Sequence, residues 1–185
     1  MSQEQAPSTS SSIQSGAKAP VTTPHRGSLS RAVDRANVEE ETYSHPFNPN
    51  SKIFGRTLSD GTGLERVGVH LIRVPAGKES QVYHRHRVQE EFIYILSGRG
   101  IAEIEDEEHE VGPGDFMGFG TSPPVGHHLR NPFSEDLVYL CGGERCKSEI
   151  AEYPKVGKVA VRVDANVSVF EASKAEGFPG YEKLE

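Results

Sequence analysis

From Gly68 onward, short apolar-rich runs alternate with glycine and proline punctuation, and no stretch repeats apolar residues at helical spacing. Runs rich in β-branched and aromatic residues predict strands near 53–58, 67–74, 82–86, 91–96, 101–105, 115–119, 126–130 and 136–141, with a further one near 158–163. Turn signals separate most of them: Pro75-Ala76-Gly77, Ser97-Gly98-Arg99-Gly100, Gly112-Pro113-Gly114-Asp115 and Asn131-Pro132. Their regular spacing predicts an all-β sandwich or barrel. The segment Glu91-Phe92-Ile93-Tyr94-Ile95-Leu96 is apolar after its first residue, which predicts a strand buried on both faces, with Glu91, Ile93 and Ile95 sharing one of them. The acidic run from Glu105 to Glu110 breaks the pattern and reads as a solvated hairpin end, with His109 an exposed turn residue.

Composition changes this picture mainly at the ends. Hydrophobic residues make up 35% of 185 residues, low for one domain of this length, and the shortfall falls on the Ser-, Thr-, Ala- and Pro-rich start. Residues 1–42 are therefore expected to be a disordered tail, 43–165 the folded barrel and 166–185 a C-terminal extension, whose Phe178-Pro179-Gly180-Tyr181 packs along the barrel or a partner subunit. A formal charge of −7 without a Lys or Arg cluster argues against nucleic acid or an anionic membrane as partner. With no long apolar run and no apolar signal core, a cytoplasmic location is expected; a Ser-rich, acid-poor start leaves a transit peptide as the lesser alternative. Cys141 and Cys146 lack the second Cys or His pair of a structural zinc site and read as reduced thiols near a strand end.

The chemistry concentrates in His84-Arg85-His86, followed by Glu91. Residues two apart on an extended strand share a face, so His84 and His86 can aim at one point, while Tyr83, Arg85 and Arg87 alternate away. Glu91 follows on the next strand, and Glu90 beside it must point the opposite way. The segment Gly126-His127-His128-Leu129-Arg130-Asn131 can return a fourth ligand. Three imidazoles and a carboxylate suit Mn, Fe, Ni, Cu or Zn rather than Mg or Ca. Burying such a set without a metal would require several mutual hydrogen bonds. The glycines at 98, 100, 112, 114, 118 and 120 form no phosphate-binding loop and read as turn residues.

These residues resemble the cupin superfamily, whose first motif runs G(X)5HXH(X)3-4E(X)6G and whose second runs G(X)5PXG(X)2H(X)3N. His84, His86, Glu91 and Gly98 follow the first pattern, and Gly77 lies one residue further from His84 than it asks. The second is looser: Gly114-Asp115 opens it, Gly120 stands where proline is expected, and Asn131 follows His127 at the family spacing. That spacing marks His127 rather than His128 as the fourth ligand. The resemblance covers about residues 67–141, and with flanking strands 50–165. It implies a single double-stranded β-helix, or jelly-roll, barrel with a divalent transition metal held by His84, His86, Glu91 and His127.

What such a site does is the least legible part. The first expectation is a metal-dependent dioxygenase-type oxidoreductase using iron or manganese on a small oxygen-containing metabolite. The alternatives are a non-redox isomerase, lyase or decarboxylase using the metal as a Lewis acid, and a metabolite-binding barrel without turnover. A protonatable side chain in the cavity would discriminate among them, and His70, His128 and Glu103 are the weak candidates. Ile93, Ile95, Phe116, Leu129 and Val138 are expected to line the interior, and Phe92 and Tyr94 to lie opposite Glu91 in core or subunit contacts. Exposed barrel edges and the apolar strand 91–96 predict a homodimer.

Overall fold

The computed structural model describes Leu29 and residues 40–177. The expected disordered tail, apart from Leu29 and its last residues, lies outside the described residues, as does Phe178-Pro179-Gly180-Tyr181. The described residues form an all-β jelly-roll barrel in which helix is limited to two single turns, Pro154–Val156 and Ala172–Lys174. A six-stranded antiparallel sheet carries, in spatial order, β1 (Glu41–Tyr43), β2 (Ile53–Thr57), β3 (Val67–Val74), β10 (Leu137–Glu144), β5 (Glu91–Ser97) and β8 (Phe116–Phe119). A three-stranded sheet orders β7 (Glu107–Val111), β6 (Gly100–Ile104) and β9 (His127–Arg130). A four-stranded sheet orders β13 (Asn166–Glu171), β12 (Lys158–Val163), β11 (Ser148–Tyr153) and β4 (Arg85–His86).

The first two sheets share one core. Ile72 and Val74 of β3, Ile93 and Ile95 of β5, Met117 and Phe119 of β8, and Leu137 and Tyr139 of β10 meet Ala102, Val111 and Leu129 from the smaller sheet. Residues paired directly across an antiparallel ladder share a face. Tyr139 pairs with Ile72 and Leu137 with Val74, so β10 turns Leu137, Tyr139 and Cys141 inward and Val138 outward. This corrects the expected interior set at Val138. Phe116 is corrected by the same rule, because it pairs with outward-facing Tyr94 and is 65% exposed. Strand β5 is buried on one face only, since Tyr94 and Leu96 on the other are exposed.

Several elements differ from the sequence expectation for local reasons. The acidic run is a paired strand, β7, whose first four residues are exposed; His109 is one of them. Expected strand 82–86 is regular only at Arg85–His86, with His84 joined to His127 by an isolated bridge. Strand β11 carries no alternating apolar signal because its buried inward residue is a glutamate, Glu149. Strand β13 lies in the stretch assigned to the C-terminal extension, and all six of its residues are exposed.

Two residues fix the geometry around the core. Gly98 has φ +76°, and a Cβ there would lie 2.1 Å from the Asp136 carbonyl oxygen, so the turn that returns β5 to β6 admits no side chain. Asn131 is 1% exposed; its Nδ2 donates to the Val74 and Glu135 carbonyls, and its Oδ1 accepts from the Phe133 N–H. Asn131 of the second motif is thus a structural clamp. Replacing it, Asn131→Ala, removes a donor from two carbonyls and an acceptor from one N–H and is expected to lower stability by about 2–4 kcal/mol in chemical denaturation. A loss below about 1 kcal/mol would contradict this role.

Candidate metal centre

Four side chains from three sheets converge. His84 and His86 come from the β4 segment, Glu91 from the start of β5, and His127 from the start of β9. One ligand atom from each lies within 4.8 Å of all the others. Glu91 Oε2 sits at the middle, 3.1 Å from His86 Nε2, 3.3 Å from His127 Nε2 and 4.0 Å from His84 Nε2. The ring of His127 is held flat against Phe119, centroids 3.7 Å apart and planes 5° from parallel. Phe119 pairs with Glu91 across β5 and β8, so one ladder position supports two of the four groups.

The outer nitrogens decide what the inner ones can do. His84 Nδ1 lies 2.8 Å from the Val82 carbonyl, and His127 Nδ1 lies 3.1 Å from the Val125 carbonyl. A carbonyl oxygen only accepts, so each Nδ1 carries the proton, and in a neutral ring Nε2 presents a lone pair. Burial, reinforced by the neighbouring His127, pushes His84 down to about 3, which makes it neutral across the physiological range. Burial alone would raise Glu91, yet hydrogen bonds from His127 and His86 hold its carboxyl well below the usual carboxylate range. The Glu91 carboxylate and the three imidazoles therefore share a buried space, and the protons between Glu91 and the Nε2 atoms of His86 and His127 are those a cation would displace. Such a donor set is chemically complementary to a transition-metal cation, and the residues present fit one.

His86 differs from His84. Burial would lower it, but the hydrogen bond and charge of Glu91 and the nearby Glu149 outweigh that and raise it above the ordinary histidine value. Glu91 Oε1, the oxygen turned away from the imidazoles, accepts from the Cys141 thiol at 2.9 Å. Burial, aided by that carboxylate, pushes the thiol well above its usual pKa, so Cys141 is a protonated donor. The sequence placed Cys141 near a strand end; its actual place follows from the phase of β10, in which it shares the inward face with Tyr139.

The cluster opens into a cavity of about 470 Å³ whose walls include Ile53, Ile72, Ile93 and Leu129. His70 also lines this cavity, with its Nδ1 3.2 Å from the Thr57 hydroxyl, and shares a smaller cleft with His86, Glu91 and Cys141. Its position follows from register, since His70 pairs with Cys141 and with Thr57 in the ladders on either side of β3. Of the other two protonatable candidates, His128 also borders this cavity and Glu103 does not. His128 turns away from the cluster and sits between Glu79, at 3.4 Å, and Glu103, at 3.7 Å, while Glu103 pairs with Lys155. Glu90 and His109 are exposed and outside the cluster, and Arg85 and Arg87 both pair with Glu152.

Comparison with known proteins agrees with this architecture. The profile of the cupin domain family matches residues 70–143, which contain all four converging residues. An uncharacterized protein of Methanocaldococcus jannaschii is 35% identical over 68 residues, or 37% of this chain; the match spans about half, 52%, of that relative's length. Among solved structures, a protein of Acidithiobacillus ferrooxidans provisionally named a sugar phosphate isomerase is 31% identical, with a TM-score of 0.76, over 81% of this chain and 96% of that one. A sugar phosphate isomerase of the cupin superfamily from Silicibacter pomeroyi is 25% identical, with a TM-score of 0.63, over 69% and 81%. Among the described residues no helix is long and apolar enough to cross a membrane. A jelly-roll barrel, paired histidines ahead of a glutamate, a third histidine returning on β9, and a 31% identical relative covered over nearly its whole length lead to one conclusion: the chain belongs to the cupin superfamily.

Proposed function

We propose that this chain is a metal-dependent enzyme that moves a proton on a small hydroxy-carbonyl metabolite, an isomerase-type reaction without net redox change. The observation that supports it is His70, a protonatable side chain oriented by Thr57 in the same cavity as the His84, His86, Glu91 and His127 cluster. The names of the two similar solved structures point the same way. His84, His86, Glu91 and His127 hold a divalent transition metal in this reading, and when bound it supplies Lewis-acid polarisation of substrate oxygens.

The protein's own groups do the rest. The thiol of Cys141 holds Glu91 Oε1 and leaves Oε2 facing the imidazoles. The apolar wall of Ile53, Ile72, Ile93 and Leu129 keeps bulk water from a reacting carbon, which favours a proton carried by a side chain. His70 is the group placed to carry it, since its ring is anchored through Nδ1 and borders the cleft shared with Glu91. The dioxygenase reading uses the same four residues but gives His70 no task.

Metal content decides the first point. Protein purified without chelators is expected to carry close to one transition metal per chain by elemental mass spectrometry, and His86→Ala to carry almost none. Metal found in neither protein after reconstitution would sink the proposal. Because His86 holds its proton more tightly than an ordinary histidine, protons compete for its Nε2. Metal affinity is therefore expected to rise as pH increases through and above 6.5 and to fall on acidification, as read by calorimetry; a flat profile would contradict this.

Turnover separates the reactions. With aldose and ketose phosphates in D2O, the enzyme is expected to introduce deuterium at the carbon beside the carbonyl, as followed by NMR. His70→Asn is expected to slow this at least about 100-fold while retaining metal. Oxygen consumption without deuterium exchange would overturn the isomerase reading in favour of the dioxygenase.

A further inference from the structure

Glu149 lies on β11, outside the region matched by the cupin domain profile, yet it is among the most buried charged residues of those described, at 5% exposure. Its Oε1 accepts from the backbone N–H groups of Arg87 at 3.1 Å, Val88 at 3.3 Å and Ile150 at 2.9 Å, and its Oε2 from that of Gln89 at 2.7 Å. Three successive N–H groups turned toward one carboxylate form a backbone concavity for an anion, and Glu149 fills it. The residues so held, Arg87 to Gln89, lie in the link between two converging groups, His86 and Glu91.

The same carboxylate faces His86 directly. His86 Nδ1 is buried and has no hydrogen-bond partner; the Glu149 carboxylate faces it, with Oε1 at 3.8 Å. His84 and His127 each direct Nδ1 to a carbonyl two residues earlier in the chain, so His86 alone among the three depends on a residue distant in sequence. A movement of about 1 Å closes the gap to a hydrogen bond. Strand β4 is also joined to the rest of its sheet by pairing Ala151 with His86 and Glu152 with Arg85.

We infer that Glu149 is the positioning residue of the metal centre: it fixes the 87–89 segment between two ligands and orients the His86 ring, making the C-terminal sheet part of the site. The inference rests on the metal-binding reading above. A charged acceptor behind a ligating imidazole sets its tautomer and direction, and losing one typically weakens metal affinity by about 10–100-fold.

The test uses the full chain and Mn2+ and Zn2+ as probes in titration calorimetry, with thermal unfolding of the metal-free proteins alongside. Glu149→Gln keeps the size and one acceptor oxygen but removes the charge. It is expected to weaken both metals about 10-fold or more and to alter the visible spectrum of the Co2+-loaded protein. Glu152→Gln, which breaks pairing to Arg85 and Arg87 from the same strand, is expected to bind as the wild type does. Glu149→Asp keeps the charge for the backbone N–H groups, providing a folded protein should Glu149→Gln unfold, and is expected to weaken binding by drawing the carboxylate away from His86. Equal affinities in wild type, Glu149→Gln and Glu149→Asp would overturn the inference, as would equal weakening in Glu152→Gln. A wild type that binds neither metal would instead overturn the reading on which the inference rests.

Discussion

One buried carboxylate oxygen, Glu91 Oε2, faces three imidazole nitrogens at 3.1, 3.3 and 4.0 Å, and much of the molecule is arranged around that concentration of electron-rich atoms. Water solvates such groups well and a protein interior does not, so bringing them together costs several kcal/mol unless protons or a cation compensate. The folded chain keeps at least His84 from supplying a proton, because burial holds it near 3 and its Nδ1 is committed to Val82. The structure thus gathers a buried carboxylate and three imidazoles whose chemical complement is a cation.

Maintaining that arrangement falls to neighbours outside the cluster. Phe119 lies flat on His127, Cys141 occupies the far oxygen of Glu91, and Glu149 binds the segment between His86 and Glu91. Each comes from a different strand: β8, β10 and β11. The centre is therefore stiff because three separate ladders converge on it, and rigid support is what a site needs to hold ligand geometry within tenths of an ångström. The apolar core below it, from Ile72 to Leu137, gives those ladders a common foundation.

The cavity sets a further titratable side chain beside the cluster. His70 stands on β3, beside β10, and Thr57 on β2, one strand further out, and together they bring a protonatable group to the same space as the cluster. His128, adjacent to a converging residue in sequence, faces the opposite way toward Glu79 and Glu103. Sequence adjacency and nearness to the site are here almost opposites, because successive residues on a strand face opposite sides.

Local pattern was enough to read the all-β class, most strand positions and the shared face of His84 and His86, each written within a few residues as a two-residue periodicity or a turn dipeptide. The grouping of these two with Glu91 and His127 came from the resemblance to the cupin motifs, in which Asn131 follows His127 at the family spacing. What it could not give was phase and distant partnership. Val138 and Phe116 were placed inward although the ladders turn them out, and strand β11 was missed because its buried residue is a glutamate. The roles of His70, Cys141 and Glu149 were likewise undecided, since each depends on which strand lies beside it. The sequence alone determined which donors exist and which can share a face. Tertiary structure decided which nitrogens keep their protons, which carboxylate stands behind which ring, and where the cavity lies, because those are set by burial and by hydrogen bonds between strands far apart in the chain.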